Sequence, residues 1–341
     1  MSAPHDPRST NRAPASVYQA PRWLPGGHAQ TIYPALFAPR PRVAYRRERW
    51  DTPDGDFIDL DWLTESPEVS RQLSAAARPL VVLFHGLEGS SRSHYAMALM
   101  AGLRDRGLRG VTVHFRGCSG EPNRLPRAYH SGDAAEIDWI LRRLRTAHPD
   151  APLYAAGVSL GGNALLKWLG EQGSGAASVV DAVAAVSAPL DLMAAGAALG
   201  EGFCLRYAHH FLVTLRSKSL AKLARHPGLY DADAVRACRT LREFDNVVTA
   251  PLHGFRDTDD YWTRASSKPL LRAIAVPTLV LNARDDPFLP EQALPSPAEV
   301  SPAVTVEFPM RGGHVAFVSG PFPGHIGWLP ERLLHFFDHQ E

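Results

Sequence analysis

One serine held between glycines constrains this chain more than any other feature. Residues 153–168 read L-Y-A-A-G-V-S-L-G-G-N-A-L-L-K-W. Leu153 to Val158 is an apolar run with the length of a buried strand, and Leu160, Ala164, Leu165 and Trp168 recur at helical spacing. Between strand and helix stands Gly157-Val158-Ser159-Leu160-Gly161. A serine at so sharp a strand-to-helix turn takes strained backbone, and side chains two residues to either side would strike the strand and the helix. Gly162 leaves further room for the helix to pack. The turn lifts Ser159 Oγ above the sheet edge at a helix N-terminus, whose free N–H groups and dipole favour a developing oxyanion.

A serine nucleophile needs a base, and the base needs an orienting acid. Behind such a turn the chain order is serine, then acid, then histidine, on loops after the last strands. Val276 to Leu281 reads as one of those strands and is followed by N-A-R-D-D-P-F-L-P, which offers Asp285 or Asp286. Val304 to Phe308 reads as the next and is followed by P-M-R-G-G-H-V-A-F, which offers His314 behind two glycines that let the loop bend. His85-Gly86-Leu87-Glu88-Gly89 directly follows the apolar run Leu80 to Phe84, so the backbone amides of Leu87 and Leu160 are the candidate oxyanion donors.

The rest of the chain supplies the scaffold. Tyr18 to Pro34 is an apolar arm, anchored by Trp23, Leu24, Ile32 and Tyr33, in which His28, Gln30 and Thr31 are expected to bond the local turn. Val43 to Trp50 and Phe57 to Leu63 alternate around Asp54-Gly55, a hairpin signal. Pro79 to Phe84, Gly110 to Phe115, Leu153 to Val158 and Val179 to Val186 read as strands, with helices expected over His94 to Leu103 and Asp133 to Leu144. This alternation predicts an α/β fold, a mostly parallel twisted sheet with helices on both faces. From 190 to 270 the rhythm gives way to helices, Leu192 to Leu199, Phe203 to Arg225 and Asp233 to Asn246. The expected organisation is therefore a core of residues 17–189 and 271–341, a helical cap insertion over 190–270, and a polar, disordered segment over 1–16. The last helix spans Leu329 to His339.

Composition excludes several classes. Lysine and arginine number 36 against 35 acidic residues, a net charge of +1, so neither nucleic acid nor an anionic membrane is an expected partner. Val179 to Gly200 is the longest apolar stretch, and Pro189 and Asp191 break it, so no integral membrane anchor is expected. The first residues lack the apolar core of a signal peptide, and the three cysteines (Cys118, Cys204, Cys238) are widely spaced. Both point to the cytoplasm. No feature specifies an oligomer.

H-G-L-E-G, R-G-C-S-G (116–120), Y-H-S-G-D (129–133), G-V-S-L-G-G-N, T-A-P-L-H-G-F (249–255), D-D-P-F, G-G-H-V-A-F and, in the arm, W-L-P-G-G-H-A-Q-T together resemble the YheT-like branch of the α/β-hydrolases, which is related to the ABHD-type lipid esterases. The resemblance covers nearly everything from about residue 18. It implies the α/β-hydrolase fold, a charge relay of Ser159, Asp286 and His314, and hydrolysis of short- to medium-chain or glyceride-type carboxylic esters. The D-x-x-x-P run from Asp286 to Pro290 supports that residue over Asp285, since Pro287 holds Asp286 extended while Asp285 is free to accept amide bonds that shape the turn. No cofactor or metal is implied, and the substrate is a small ester with an apolar acyl chain, received by Leu192, Met193, Phe203, Phe211 and Leu212 of the insertion. An acyltransferase, a thioesterase or a non-catalytic acyl-ligand-binding protein would share the pattern. R-G-C-S-G is expected at the pocket floor, and Tyr261 and Trp262 on the inner face of the insertion or in its core. Cys118 lacks a histidine partner as a second nucleophile, and His335 and His339 lack a third metal ligand.

Overall fold

The computed structural model describes residues 17–64 and 78–339, so the disorder expected for 1–16 lies outside the described residues. The turn at Asp54-Gly55, with Gly55 at φ 84°, folds β1 (Tyr45–Asp51) antiparallel onto β2 (Phe57–Leu63). Six further strands follow: β3 (Leu80–Phe84), β4 (Arg109–His114), β5 (Leu153–Val158), β6 (Ala182–Val186), β7 (Thr278–Leu281) and β8 (Val304–Glu307). They form one sheet in the order β1-β2-β4-β3-β5-β6-β7-β8, parallel from β4 onward. In chain order the helices are α1 (Gly27–Leu36), α2 (His94–Asp105), α3 (Ala134–Ala147), α4 (Leu160–Gln172), α5 (Leu192–Leu199), α6 (Leu205–Arg225), α7 (Ala232–Ala237), α8 (Leu241–Phe244), α9 (Ala250–Leu252), α10 (Thr258–Ala265) and α11 (Trp328–Asp338).

The central strands are buried on both faces because their alternate side chains meet different helices. Leu80, Val82 and Phe84 join Leu153 and Ala155 in a core shared with α3 and α4, while Val81, Leu83, Tyr154 and Ala156 join one shared with α2 and α11. Tyr154 stacks on Phe337 of α11 at 4.9 Å. Each large apolar side chain so buried contributes roughly 1.5–3 kcal/mol. Strands covered on both faces read as continuous apolar runs, which is why β3 and β5 stand out in the sequence.

Several elements differ from the pattern reading. Val179 to Asp181 remain in the turn after a 3₁₀ helix, so β6 begins at Ala182. The segment Asp233 to Asn246 is two helices, because Thr240 caps a new one, its hydroxyl accepting from the Glu243 amide. A π turn over Asp245–Thr249 follows it. The arm contains helix α1, hidden in the sequence by Gly26-Gly27 at its start and Pro34 within it. Helix α10, capped by Asp257, also lacked a long apolar stripe to announce it.

At the antiparallel end of the sheet, Asp61 of β2 is almost fully buried and accepts bonds from Arg47, Ser91 and the ring of His114. Burial would raise its carboxyl pKa, but bonds from Arg47, His114 and Ser91 outweigh it and hold the group well below the ordinary range. The stabilisation is complete above the unfolded carboxyl pKa of about 4 and is lost as pH falls below it. Asp61→Ala is expected to cost roughly 3 kcal/mol at neutral pH and to lower the melting temperature by several degrees. Acid titration of the melting temperature checks the mechanism. The Asp61→Asn protein loses less stability than wild type between about pH 5 and pH 3, and an equal loss would refute this role.

Candidate active site

Ser159 stands at φ 52° and ψ −121°, a backbone region that side chains with a Cβ rarely occupy. Its amide donates to the Val186 carbonyl at 2.8 Å, tying the turn to β6. A Cβ at Gly157 would lie 2.6 Å from the Gly161 carbonyl oxygen, and one at Gly161 would lie 2.5 Å from those of Phe84 and His85. Only glycine lets β5, α4 and the end of β3 meet this closely.

The structure brings Ser159 and His314 together with one of the two candidate acids. His314 Nε2 lies 3.1 Å from Ser159 Oγ, and Nδ1 lies 2.8 Å from Asp286 Oδ2. The other Asp286 oxygen accepts the Phe288 amide at 2.8 Å, which turns the loop so that the Phe288 ring stacks on the imidazole at 4.1 Å. The Asp286 side chain is 1% exposed. Asp285 turns away and accepts the Gly313 amide at 2.9 Å. Burial pushes its carboxyl pKa up, against the Gly313 and Gly312 amides that lower it. The adjacent carboxylates thus divide the work: one faces the imidazole and one binds the backbone of the histidine loop.

Leu87 and Leu160 line the same cavity as Ser159 and His314. Leu160 is the first residue of α4, where amides have no intrahelical acceptor. The loop carrying Leu87 is held on both sides. The Gly86 amide donates to Tyr95, and Glu88, at φ 56°, donates its amide to the Tyr129 hydroxyl while accepting that hydroxyl's proton on Oε1. The second Glu88 oxygen pairs with Lys218 of α6 at 2.8 Å. The motifs H-G-L-E-G and Y-H-S-G-D contain Glu88 and Tyr129, but their contact joins residues 41 apart and has no local signature.

The cavity measures about 420 Å³ and extends from Ser159 between the helices that connect β6 to β7. Its apolar wall includes Leu192, Leu199, Phe211, Leu215, Phe244 and Trp262. Of the five insertion residues expected there, Leu192 and Phe211 line it and three do not. Leu212, one position round α6 from Phe211, is buried in a core with Val235 and Cys238. Met193 packs beside Tyr261 and Trp262, and Phe203 is 46% exposed, its ring against His28. Tyr261 and Trp262 are buried and reach the cavity as well.

Of R-G-C-S-G, Arg116, Gly117 and Gly120 line the cavity and Cys118 and Ser119 do not; Arg116 is locked by Glu136, Asp54 and Asp56. Burial pushes the Cys118 thiol up to about 12, so it stays protonated and is a poor nucleophile at neutral pH. His335 and His339 sit with ring centroids 4.1 Å apart. Among the described residues no three His, Cys, Asp or Glu side chains group to hold a metal ion, and no helix is long and apolar enough to cross a membrane.

Residues 79–321 match the family model of the alpha/beta hydrolase fold. The chain is 41% identical over 308 residues to YheT of Escherichia coli (strain K12), which carries a provisional esterase name, spanning 90% of this chain and 88% of that one. It is 32% identical over 323 residues to the phospholipase ABHD3 of Homo sapiens, spanning 94% and 78%. A monoacylglycerol lipase of Saccharomyces cerevisiae is 27% identical, over 80% of this chain and 61% of the lipase. A solved esterase of Pyrococcus furiosus superposes at a TM-score of 0.53 with 14% identity, covering 89% of this chain and 98% of that one, a likeness of fold.

The division of labour between the two carboxylates is testable on p-nitrophenyl acetate. Asp286→Asn is expected to lower kcat by roughly 10³-fold or more with a near-normal melting temperature, because the imidazole loses its orienting charge. Asp285→Asn keeps an acceptor for the Gly313 amide and is expected to stay within about tenfold of wild type. The reverse pattern in kcat would transfer the acid's role to Asp285.

Proposed function

The chain belongs to the α/β-hydrolase family, in its YheT-like branch, and is a carboxylic ester hydrolase; from that premise we propose a serine esterase that works through an acyl-enzyme. Its substrates are short- to medium-chain carboxylic esters, glyceride-type esters among them. One observation carries the reading: the unbroken line of contacts from Ser159 Oγ through both ring nitrogens of His314 to Asp286, opening on an apolar cavity.

The chemistry follows from that line. Asp286 accepts a hydrogen bond from the Nδ1–H of His314, which leaves Nε2 as the base facing Ser159. His314 takes the Ser159 proton as Oγ attacks the ester carbonyl, and the amides of Leu87 and Leu160 receive the oxyanion. His314 returns the proton to the departing alcohol. It then activates a water that releases the acid and restores Ser159. Each oxyanion amide contributes on the order of 3 kcal/mol to such a step.

The helices of residues 190–270 serve in this reading as a cap that receives the acyl chain. Phe211, Leu215 and Leu199 form part of its wall. The cysteines Cys118, Cys204 and Cys238 are all free, which suits a reducing, cytoplasmic setting.

Ser159→Ala is expected to abolish hydrolysis by 10³-fold or more and to remove labelling by a fluorophosphonate probe. Activity within about tenfold of wild type would reject Ser159 as the nucleophile. On a p-nitrophenyl ester series from acetate to palmitate, kcat/KM is expected to climb with chain length until the cavity ends, at up to roughly 0.8 kcal/mol per buried methylene. Phe211→Ala enlarges the cavity and moves the cut-off to longer chains. An unchanged profile would place the acyl pocket elsewhere.

A further inference from the structure

The loop that carries His314 is strained at two residues just beyond it. Gly313 lies at φ 60°, Val315 at φ 78° and Phe317 at φ 46°. A positive φ at valine is a marked outlier, because its branched Cβ crowds the backbone. Strained residues persist only where their surroundings over-determine them, and two hydroxyls do so here. The His314 amide donates to Thr31 Oγ1 at 2.9 Å, and the next amide, of Val315, donates to Ser187 Oγ at 3.0 Å. These acceptors come from segments remote in sequence: Thr31 from α1 in the arm, and Ser187 from the residue after β6. Between them they hold the peptide units on either side of the Cα from which the imidazole springs.

Both residues are themselves held in place. Thr31 Oγ1 donates its proton to the Gly27 carbonyl at 2.7 Å, so the oxygen presents a lone pair to His314. Ser187 is almost fully buried, sits at φ 50°, and its amide donates to the Leu281 carbonyl at 2.8 Å. The helix bearing Thr31 is seated tightly. A Cβ at Gly27 would overlap the Asp285 carbonyl oxygen, at 1.8 Å, and one at Gly313 would stand 2.7 Å from the Gly27 carbonyl oxygen. The arm therefore touches the acid loop and the histidine loop at once.

We propose that Thr31 and Ser187 are positioning residues for the imidazole, clamping the strained histidine loop by its two adjacent amides so that Nε2 meets Ser159 Oγ. This assigns the arm a part in turnover and rests on the serine-histidine reading above. A base displaced by an ångström from its partner loses rate steeply while substrate binding in the apolar cavity is little changed.

The test compares Thr31→Val, Thr31→Ser and Ser187→Ala with wild type on p-nitrophenyl butyrate. Thr31→Val keeps the shape of threonine and cannot accept a hydrogen bond. The expected result is a fall in kcat of about tenfold or more for Thr31→Val and for Ser187→Ala, with KM within about twofold. Thr31→Ser, which restores the acceptor, returns kcat to within about threefold of wild type. The double variant loses less than the product of the two single losses, because both act on one loop. Wild-type kcat in either single variant, a loss confined to KM, or a serine variant as poor as the valine one would overturn the proposal. Ser187→Ala deletes one oxygen and decides the matter by itself should Thr31→Val not fold. Ser159→Ala runs alongside: if it is active, the serine reading and this proposal both fall, whereas an inactive Ser159→Ala beside unimpaired Thr31→Val and Ser187→Ala overturns only the clamp.

Discussion

The contact on which the rest of the site depends is the meeting of three backbones at residues 157–161. β5 ends, α4 begins, and the carbonyls of Phe84 and His85 at the end of β3 lie against the first turn of that helix. No side chain fits between them. Because the approach is so close, the serine at the apex is pushed into a positive φ, and its amide is held by β6. The same closeness brings the amide of Leu160 beside the loop of Leu87. Sheet packing and site geometry are thus one arrangement, with the backbone strain at Ser159 sustained by the burial of β3, β5 and α4 around it.

The buried carboxylates of Asp286, Asp61 and Asp56 each draw more than one donor. Asp286 divides its oxygens between the His314 ring and the Phe288 amide. Asp61 is shared among Arg47, Ser91 and His114, and Asp56 accepts from Phe57, Asn123, Arg116 and the amides of Arg124 and Leu125. A buried acid that keeps its charge needs donors, and at Asp61 and Asp56 most of these come from segments remote in the chain. The carboxylates therefore act as fasteners between segments. At Asp285 and Asp286, adjacent residues fasten different things: one the backbone of the histidine loop, the other the histidine ring.

The helices between β6 and β7 complete the cavity without entering the sheet. Their side chains divide between a core of their own and the cavity wall, as Leu212 and Phe211 show from neighbouring positions on α6. Lys218 of the same helix pairs with Glu88, so the layer over the cavity is fastened to the loop beside Ser159. In the acid loop, Phe288 stacks on His314 on one side and meets Tyr207 of α6 on the other, and Tyr207 in turn contacts His28 of the arm.

By itself the sequence determined the alternation of strands and helices, the sharp turn at Ser159 and the loops that carry Asp286 and His314. These features are local: an apolar run buried on two faces, glycines where backbones touch, and a fixed order along the chain. Only the tertiary structure decided the rest. Helix α1 carries a proline and begins at glycines, so propensity argued against it, and packing against the loops of Asp285 and Gly313 accounts for its place. Leu212 and Phe211 are equally apolar, and which of them faces the cavity depends on how α6 is rotated against its neighbours. Thr31 and Ser187 look like ordinary hydroxyls in the sequence. They reach the histidine loop across 283 and 128 residues, and contacts over such distances leave no periodicity, because they are set by where two remote segments pack in space.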